Sequence, residues 1–164
     1  MIVVVMGVSG AGKTTIGRAL AQALGWPFYD GDDFHPPQNI EKMRQGIPLT
    51  DADRLPWLEA LHALMHQLLL SGQSAVVACS ALKRSYRDLL RRAGPEVRFV
   101  YLAADPELIR RRLEARRGHF FDPQLLQSQF EALEAPDAEE ALTVAADRSV
   151  DALVSEILAA LRQP

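Results

Sequence analysis

A glycine-rich stretch near the start of the chain combines residue types that together can bind phosphate. Its sequence, GVSGAGKT, has the spacing G-x-x-x-x-G-K-[ST]. It follows an apolar run and precedes an amphipathic segment, which is the strand–loop–helix context in which this pattern binds nucleotides. The backbone N–H groups of such a loop form a nest for anions, and the next helix presents its positive dipole end. The residues that we expect to bind ATP are Gly7, Val8, Ser9, Gly10, Ala11, Gly12, Lys13, Thr14 and Thr15.

Lys13 and Thr14 have the chemistry for the charged end of the nucleotide. A lysine at this position reaches the β- and γ-phosphates, and a hydroxyl is an oxygen ligand for Mg²⁺. We therefore predict that Lys13 is catalytic and that Thr14 is a magnesium ligand. The alternative is a glycine-rich turn that binds nothing, which the flanking elements disfavour.

Two carboxylates, Asp30 and Asp32, follow the next short apolar run, with Gly31 between them. Transfer of a phosphoryl group to a hydroxyl needs a residue that orients the hydroxyl and accepts its proton, and oxygen atoms around the metal ion. We predict that Asp30 contacts Mg²⁺ through a water molecule and that Asp32 faces the acceptor hydroxyl. The alternative is a solvated acidic turn that caps the next helix.

A basic cluster, Lys83, Arg84 and Arg87, lies at the start of a predicted helix. The helix dipole favours anions at that end, so three cations there are unusual. An anionic acceptor would balance them, and a guanidinium binds a carboxylate through two hydrogen bonds. The alternative is a solvated basic face of the helix.

Arg112 and Arg116 lie four residues apart, shortly before Gly118. We predict that both bind the nucleotide and belong to a mobile lid, about residues 112–124, that brings a catalytic arginine, Arg116, to the developing charge. The alternative is that they are cations suited to the end of a helix. The roles of Arg117 and His119 stay open.

Single residues elsewhere give weaker signals. His35 and Arg54 could contact hydroxyl or anionic groups of an acceptor, or could serve packing and surface pairing. His62 and His66 have a helical spacing that can bind metal, but no third ligand accompanies them, so surface or interface histidines are expected. Cys79 is predicted to lie in the core.

These residues must be positioned by alternating strands and helices. The predicted strands are Ile2–Met6, Pro27–Asp30, Ser74–Cys79, Val97–Leu102 and Leu142–Ala145. The predicted helices are Thr14–Leu24, Asn39–Gln45, Thr50–Leu70 with Asp51 or Asp53 as its cap, Leu82–Arg92, Asp105–Arg116, Asp122–Leu133 and Val150–Leu161. Continuous apolar strands that alternate with helices predict an open parallel sheet with helices on both faces. Ligands of such sheets bind beyond the carboxyl ends of the strands, which would gather the candidate residues into one site.

Length and composition limit the classes of protein. The chain has 164 residues, enough for one domain, and its net charge of −3 gives no general attraction to nucleic acid or to an anionic membrane. One cysteine fits a reducing compartment. The apolar N-terminus is short and lacks a basic region, so it does not resemble a signal peptide, and no apolar stretch is long enough to span a bilayer. We expect a cytoplasmic protein.

Longer strings of residues resemble the gluconate kinase family, from about Ile2 to Leu133. The matching strings are MGVSGAGKTT, DGDDFHPPQNIEKMRQGIPLTDADRLPWL, CSALKRSYRDLLR and RLEARRGHFF. The resemblance implies an α/β, P-loop nucleoside-monophosphate-kinase-like three-layer fold, with a five-stranded parallel sheet and a mobile lid. It implies phosphorylation of D-gluconate at its terminal (6-) hydroxyl, with ATP and Mg²⁺, to give 6-phospho-D-gluconate. Members of the family are often homodimers.

The resemblance also implies roles for particular positions. An acceptor-binding segment would occupy about residues 31–72 of a single domain, 1–164. The residues expected to contact gluconate are Asp32, His35, Lys42, Arg54, Lys83, Arg84 and Arg87. The alternatives are a kinase for another small acid, such as shikimate or adenylylsulfate, and a nucleotide-binding regulator without catalysis. A regulator would need neither the acidic pair nor the lid arginines.

Overall fold

A five-stranded parallel sheet forms the middle layer of the molecule. The structure is a computed structural model that describes residues 1–115 and 123–163. The strands are β1 (Ile2–Met6), β2 (Phe28–Asp30), β3 (Ala75–Ala78), β4 (Val97–Ala103) and β5 (Ala141–Ala145), in the spatial order β2-β3-β1-β4-β5. The helices are α1 (Lys13–Leu24), α2 (Pro37–Arg44), α3 (Asp51–Leu70), α4 (Arg84–Arg91), α5 (Pro106–Ala115), α6 (Pro123–Ala132) and α7 (Val150–Leu161). A 3₁₀ turn, Gly31–Phe34, follows β2. The predicted three-layer α/β fold is confirmed.

The central strand β1 is buried on both faces because helices cover the sheet on both sides. Ile2, Val4 and Met6 face a cluster that includes Trp57 and Met65 of α3. The alternate residues of β1, by contrast, pack into a second cluster with α1, α5 and α7. Every residue of β1 is fully buried, which explains why the strand is apolar at each position instead of alternating.

The parallel register brings the carboxyl ends of β1, β2 and β3 to one edge. β1 pairs with β3 and β4, and β2 pairs with β3 through Asp30 and Ala78. Gly31 follows directly, and its backbone lies so close to β3 that an added Cβ would be 2.4 Å from the carbonyl oxygen of Ala78. Only glycine fits at this approach, and it holds the acidic turn against the end of β3.

The starts of several helices differ from the sequence-based expectation; α4, for example, begins at Arg84 and not at Leu82. Thr50, and not Asp51 or Asp53, is the N-cap of α3: its hydroxyl accepts from the N–H of Asp53 at 3.0 Å, and the Asp53 carboxylate accepts from the N–H of Thr50 at 2.9 Å. This is a reciprocal capping box. The helix α2 begins at Pro37 and not at Asn39, since proline is favourable in a first turn. Within residues 1–115 and 123–163, no helix has the length and apolar character needed to cross a bilayer.

Candidate active site

A cavity of about 510 Å³ opens at the carboxyl edge of the sheet. Lys13 and Asp32 line it beside the end of β1 and β2, and Ser80 lines it after β3. Helix α3 contributes Arg54, and α6 contributes Gln129. The parallel sheet therefore gathers residues that are far apart in sequence, as the strand pattern predicted.

The glycine-rich loop connects β1 to α1 and wraps around the lysine side chain. Gly12, at φ +102°, directly precedes the first residue of α1 and takes a conformation that favours glycine. The ammonium group of Lys13 donates to the carbonyl oxygen of Val8 at 2.9 Å. Burial lowers the pKa of Lys13, while the nearby charge of Asp32 opposes that shift. The loop thus places one cation and the N–H groups of a helix start at the sheet edge, where an anion can bind.

Asp30 connects the acidic turn to the loop. One of its carboxylate oxygens accepts from the N–H of Asp32 at 3.0 Å, and the other accepts from the hydroxyl of Thr14 at 3.3 Å. A hydroxyl and a carboxylate side by side provide oxygen ligands of the kind that Mg²⁺ prefers, so this pair fits the ion. The predicted magnesium residues, Thr14 and Asp30, therefore lie together.

Asp32 lines the cavity and is exposed to it. Partial desolvation raises the pKa of its carboxyl group, and the nearby charge of Lys13 lowers that pKa. A carboxylate with a raised pKa accepts a proton more readily than an ordinary aspartate. The turn itself is fixed by the indole N–H of Trp57, which donates to the carbonyl oxygen of Gly31 at 2.7 Å.

His35 forms part of the cavity wall and is neutral at neutral pH. Its ring stacks on Trp57, with the centroids 4.2 Å apart. The amide nitrogen of Asn39 is 3.3 Å from Nδ1, so Nδ1 is assigned as the acceptor and Nε2 as the protonated nitrogen. Burial, and then the charge of Arg54, lower the pKa of His35 to about 4. A neutral imidazole can bind a hydroxyl group but gives no positive charge to the site.

The low pKa of His35 makes folding stability depend on pH. Because the unfolded state binds the proton at an ordinary pKa of 6.5 and the folded state only near 4, stability is lost as the pH falls through this window. Between pH 7 and pH 5 we expect the unfolding free energy to fall by about 2 kcal/mol more in the parent than in His35→Gln. Urea unfolding at the two pH values measures this. A parental dependence in His35→Gln would contradict the assignment.

Arg54 brings a positive charge to the cavity wall. Its guanidinium donates to the hydroxyl of Tyr86 at 3.1 Å, and its Cζ lies 5.5 Å from the centre of that ring. The Tyr86 hydroxyl in turn donates to Asp51, which also accepts from Lys83 at 2.9 Å. Among the ion pairs of the described ranges, 1–115 and 123–163, none includes Arg54. Tyr86 thus orients a cation whose charge is available to an anion.

Other predicted acceptor contacts lie away from the cavity wall. Lys42 pairs with Asp53 at 2.8 Å, and Lys83 pairs with Asp51 beside a neighbouring depression that it shares with Arg54. Arg84 is exposed at the start of α4, where its backbone N–H donates to Glu134. The structure therefore does not bring these three cations into the cavity.

Arg87 requires a correction, because it is an interior residue. It is only 1% exposed, and its guanidinium pairs with Glu140 at 2.6 Å. Its remaining donors bind the carbonyl oxygens of Ala81, Leu82 and Glu134 at 2.8 to 3.0 Å. All five N–H groups of the guanidinium are used, so Arg87 has none left for an acceptor. It holds the segment after β3, where Ala81 has a φ of +45°.

Arg112 lies against the other side of the glycine-rich loop. It donates to the carbonyl oxygens of Gly10 at 3.2 Å and Ala11 at 3.1 Å, and to that of Ala146. With Thr15 and Arg148 it lines a second cavity, of about 210 Å³. The loop therefore separates two cavities, one lined by Asp32 and one lined by Arg112. Arg116, Arg117 and His119 lie outside the described residues.

Sequence reasoning missed three polar residues of the larger cavity, Arg44, Ser128 and Gln129. Gln129 is the most connected of them. Its carbonyl oxygen accepts from the backbone N–H of Ser9 at 2.7 Å, and its amide nitrogen is 3.1 Å from the Ser9 hydroxyl. No motif distinguishes a glutamine in an amphipathic helix, and the contact spans 120 positions of sequence.

Comparison with known proteins finds close relatives. A family model described as "Shikimate kinase" matches residues 9–162. A "Probable gluconokinase" of Rattus norvegicus is 46% identical over 98% of this chain and 97% of its own length. The "Thermosensitive gluconokinase" of Escherichia coli K12 is 52% identical over 84% of this chain and 73% of its own length. The crystal structure of a gluconokinase from Sinorhizobium meliloti 1021 is 48% identical, with a TM-score of 0.85 over 97% of this chain and 90% of that one.

Proposed function

The chain belongs to the gluconokinase family and matches the shikimate kinase family model over residues 9–162, and we propose that it transfers the γ-phosphoryl group of ATP to the terminal (6-) hydroxyl of D-gluconate. One observation assigns this reaction to the larger cavity. Lys13, Asp32 and Arg54 line the same cavity, so a phosphate-binding cation, a carboxylate and an anion-binding cation surround one space. A kinase for a hydroxy acid needs these three functions together.

We assign the phosphate end of the reaction to the glycine-rich loop. Its N–H groups and Lys13 hold the phosphates and balance the negative charge that they carry. Thr14, and Asp30 through water, would hold Mg²⁺, which neutralises charge on the phosphates when bound. We propose that the second cavity, beside Arg112, receives the nucleoside part of ATP. In this arrangement the last phosphate faces the cavity that contains Asp32.

We assign the acceptor end to residues of the segment 31–72. Asp32 orients the terminal hydroxyl of gluconate toward the γ-phosphorus and accepts its proton. Arg54 binds the carboxylate at the other end of the substrate, and neutral His35 binds a hydroxyl between them. The predicted lid, about residues 112–124, with Arg116, remains part of the proposal, as do a cytoplasmic location and a homodimer.

An acceptor screen tests the function directly. Purified protein with Mg²⁺ and ATP is assayed for ADP release, in a coupled assay, with D-gluconate, shikimate or adenylylsulfate as acceptor. The proposal requires ADP release with gluconate that exceeds the other two and the rate without acceptor. ADP release with shikimate or adenylylsulfate instead would assign another acceptor, and none with any acid, despite ATP binding, would indicate a regulator.

Arg54→Ala should weaken gluconate binding much more than ATP binding. Loss of a guanidinium that binds a carboxylate costs about 2 to 3 kcal/mol, so the KM for gluconate should rise by roughly 30- to 150-fold. The KM for ATP should change little, since Arg54 belongs to the acceptor wall. Steady-state kinetics with each substrate varied measures both. Arg84→Ala is the control, because the Arg84 side chain is exposed and lies outside the cavity wall; an unchanged KM for gluconate in Arg54→Ala would remove Arg54 from the proposed site.

A further inference from the structure

The side chain of Gln129 is bound to the glycine-rich loop by two hydrogen bonds. The Gln129 carbonyl oxygen accepts from the Ser9 backbone N–H at 2.7 Å, and its NH₂ group is 3.1 Å from the Ser9 hydroxyl. The orientation of the amide follows from the network, because a backbone N–H can only donate. The backbone N–H group of Ser9, in the loop, is therefore already hydrogen-bonded to the side-chain oxygen of Gln129.

Ser9 lies at the end of the loop where the last phosphate of ATP has to be. It lines the larger cavity together with Lys13 and Asp32, whereas Gly12 and Thr15 line the second cavity beside Arg112. Since transfer requires the γ-phosphorus to face the acceptor, the γ-phosphate must lie on the Ser9 side. The diphosphate part of the nucleotide needs only the remainder of the loop.

We propose that Gln129 determines how strongly the loop distinguishes ATP from ADP, because its carbonyl oxygen occupies the N–H group that a γ-phosphate oxygen binds. ATP displaces Gln129 from Ser9, and ADP leaves the contact in place. The displacement breaks both hydrogen bonds to Ser9. A stronger, charge-assisted bond to the phosphate replaces the one at the Ser9 N–H, and the bond to the Ser9 hydroxyl is the net loss. Gln129 thus lowers the affinity for ATP relative to ADP.

The displacement also connects the nucleotide with the acceptor wall. Gln129 is on α6, and Leu125 and Ser128 of the same helix line the cavity in which the acceptor binds. The Ser128 hydroxyl donates to the carbonyl oxygen of Leu125 at 2.8 Å, so these residues form one helical turn. Release of Gln129 therefore removes a restraint on this part of the acceptor wall, and it does so only when a γ-phosphate is present.

Nucleotide binding to the purified protein tests the inference without any acceptor. Calorimetry with Mg²⁺ gives the Kd for ADP and for the ATP analogue with an imido group between its β- and γ-phosphates. In Gln129→Ala, the preference for the analogue over ADP should rise about three- to tenfold, the value of one neutral hydrogen bond. In Gln129→Glu, a carboxylate holds the Ser9 N–H and repels the γ-phosphate, so the preference should fall below that of the parent.

Gln127→Ala is the matched control, because Gln127 is exposed on the same helix and bonds only Glu131 among the described residues, at 3.0 Å. It should keep the parental ratio of the two Kd values. An unchanged or lowered preference for the ATP analogue in Gln129→Ala would overturn the inference. The inference rests on the proposed nucleotide site and not on gluconate as acceptor. If the parent binds no nucleotide, the proposed function is contradicted as well. If the parent binds nucleotide but Gln129→Ala has the parental ratio of the two Kd values, only the role of Gln129 is contradicted.

Discussion

Asp32→Asn is expected to lower kcat by about 10²- to 10⁴-fold, the range for loss of a positioned general base. The substitution keeps the size of the side chain and the backbone N–H that donates to Asp30 at 3.0 Å, so the turn should fold normally. It removes the ability to accept the proton of the acceptor hydroxyl. The affinity for ATP should stay close to that of the parent, because the loop and Lys13 are intact. Steady-state kinetics and nucleotide binding measure the two quantities separately.

The neighbouring carboxylate provides a control for this effect. Asp33 is exposed on the same turn, and it carries the same charge. If only the general negative potential mattered, Asp33→Asn would lower kcat to a similar degree. A specific role for Asp32 requires Asp33→Asn to remain near the parental kcat, and a near-normal kcat in Asp32→Asn would remove Asp32 from the mechanism.

Lys13→Ala is expected to lower kcat/KM for ATP by about 10²- to 10³-fold, as for loss of one group that stabilises developing charge. The ammonium group is held at the sheet edge by its hydrogen bond to the carbonyl oxygen of Val8 at 2.9 Å, and its other two N–H groups can bind a phosphate. Its removal leaves the backbone N–H groups of the loop as the main remaining hydrogen-bond donors to the phosphates. Kinetics with ATP varied, together with the Kd for ATP, shows how the loss is divided between binding and catalysis.

Removal of Lys13 should also raise the pKa of Asp32, because the Lys13 charge opposes the effect of burial on that carboxyl group. Lys42→Ala is the control for loss of a lysine elsewhere, since Lys42 pairs with Asp53 outside the cavity at 2.8 Å. Its kcat/KM for ATP should stay close to that of the parent. The melting temperature of Lys13→Ala should be compared with the parent to exclude unfolding. A folded Lys13→Ala protein with parental turnover of ATP would contradict the whole assignment of the loop.

The arrangement of the glycine-rich loop and the acidic turn could be predicted from the sequence because the geometry of the loop is local. Residues 7–12 connect a strand and a helix that both have clear patterns, and Lys13 and Thr14 begin the helix. The end of β2 brings Asp30 and Asp32 beside them. Parallel strands separated by helices have few possible arrangements. The type and order of these elements therefore fixed the position of the acidic pair before any contact was known.

The acceptor half depends on contacts that cross the sequence, and here the prediction from residue types was incomplete. Arg87 was predicted to bind an anion because cations are unusual at a helix start. Its actual partner, Glu140, is 53 positions away, and no local pattern connects the two. Gln129 was missed for the same reason. Arg54 was identified as a candidate, but its orientation by Tyr86 required the structure.

The position of β1 in the middle of the sheet has a consequence for synthesis of the chain. The five hydrophobic residues of β1 are synthesised well before their partner strand β3, which begins at Ala75. At usual rates of translation, on the order of 4 to 15 seconds pass before that partner is made. During this time the nascent chain exposes an unpaired strand edge, which favours aggregation. We expect a chaperone that binds short apolar segments to protect residues 2–6 of the nascent polypeptide until β3 emerges.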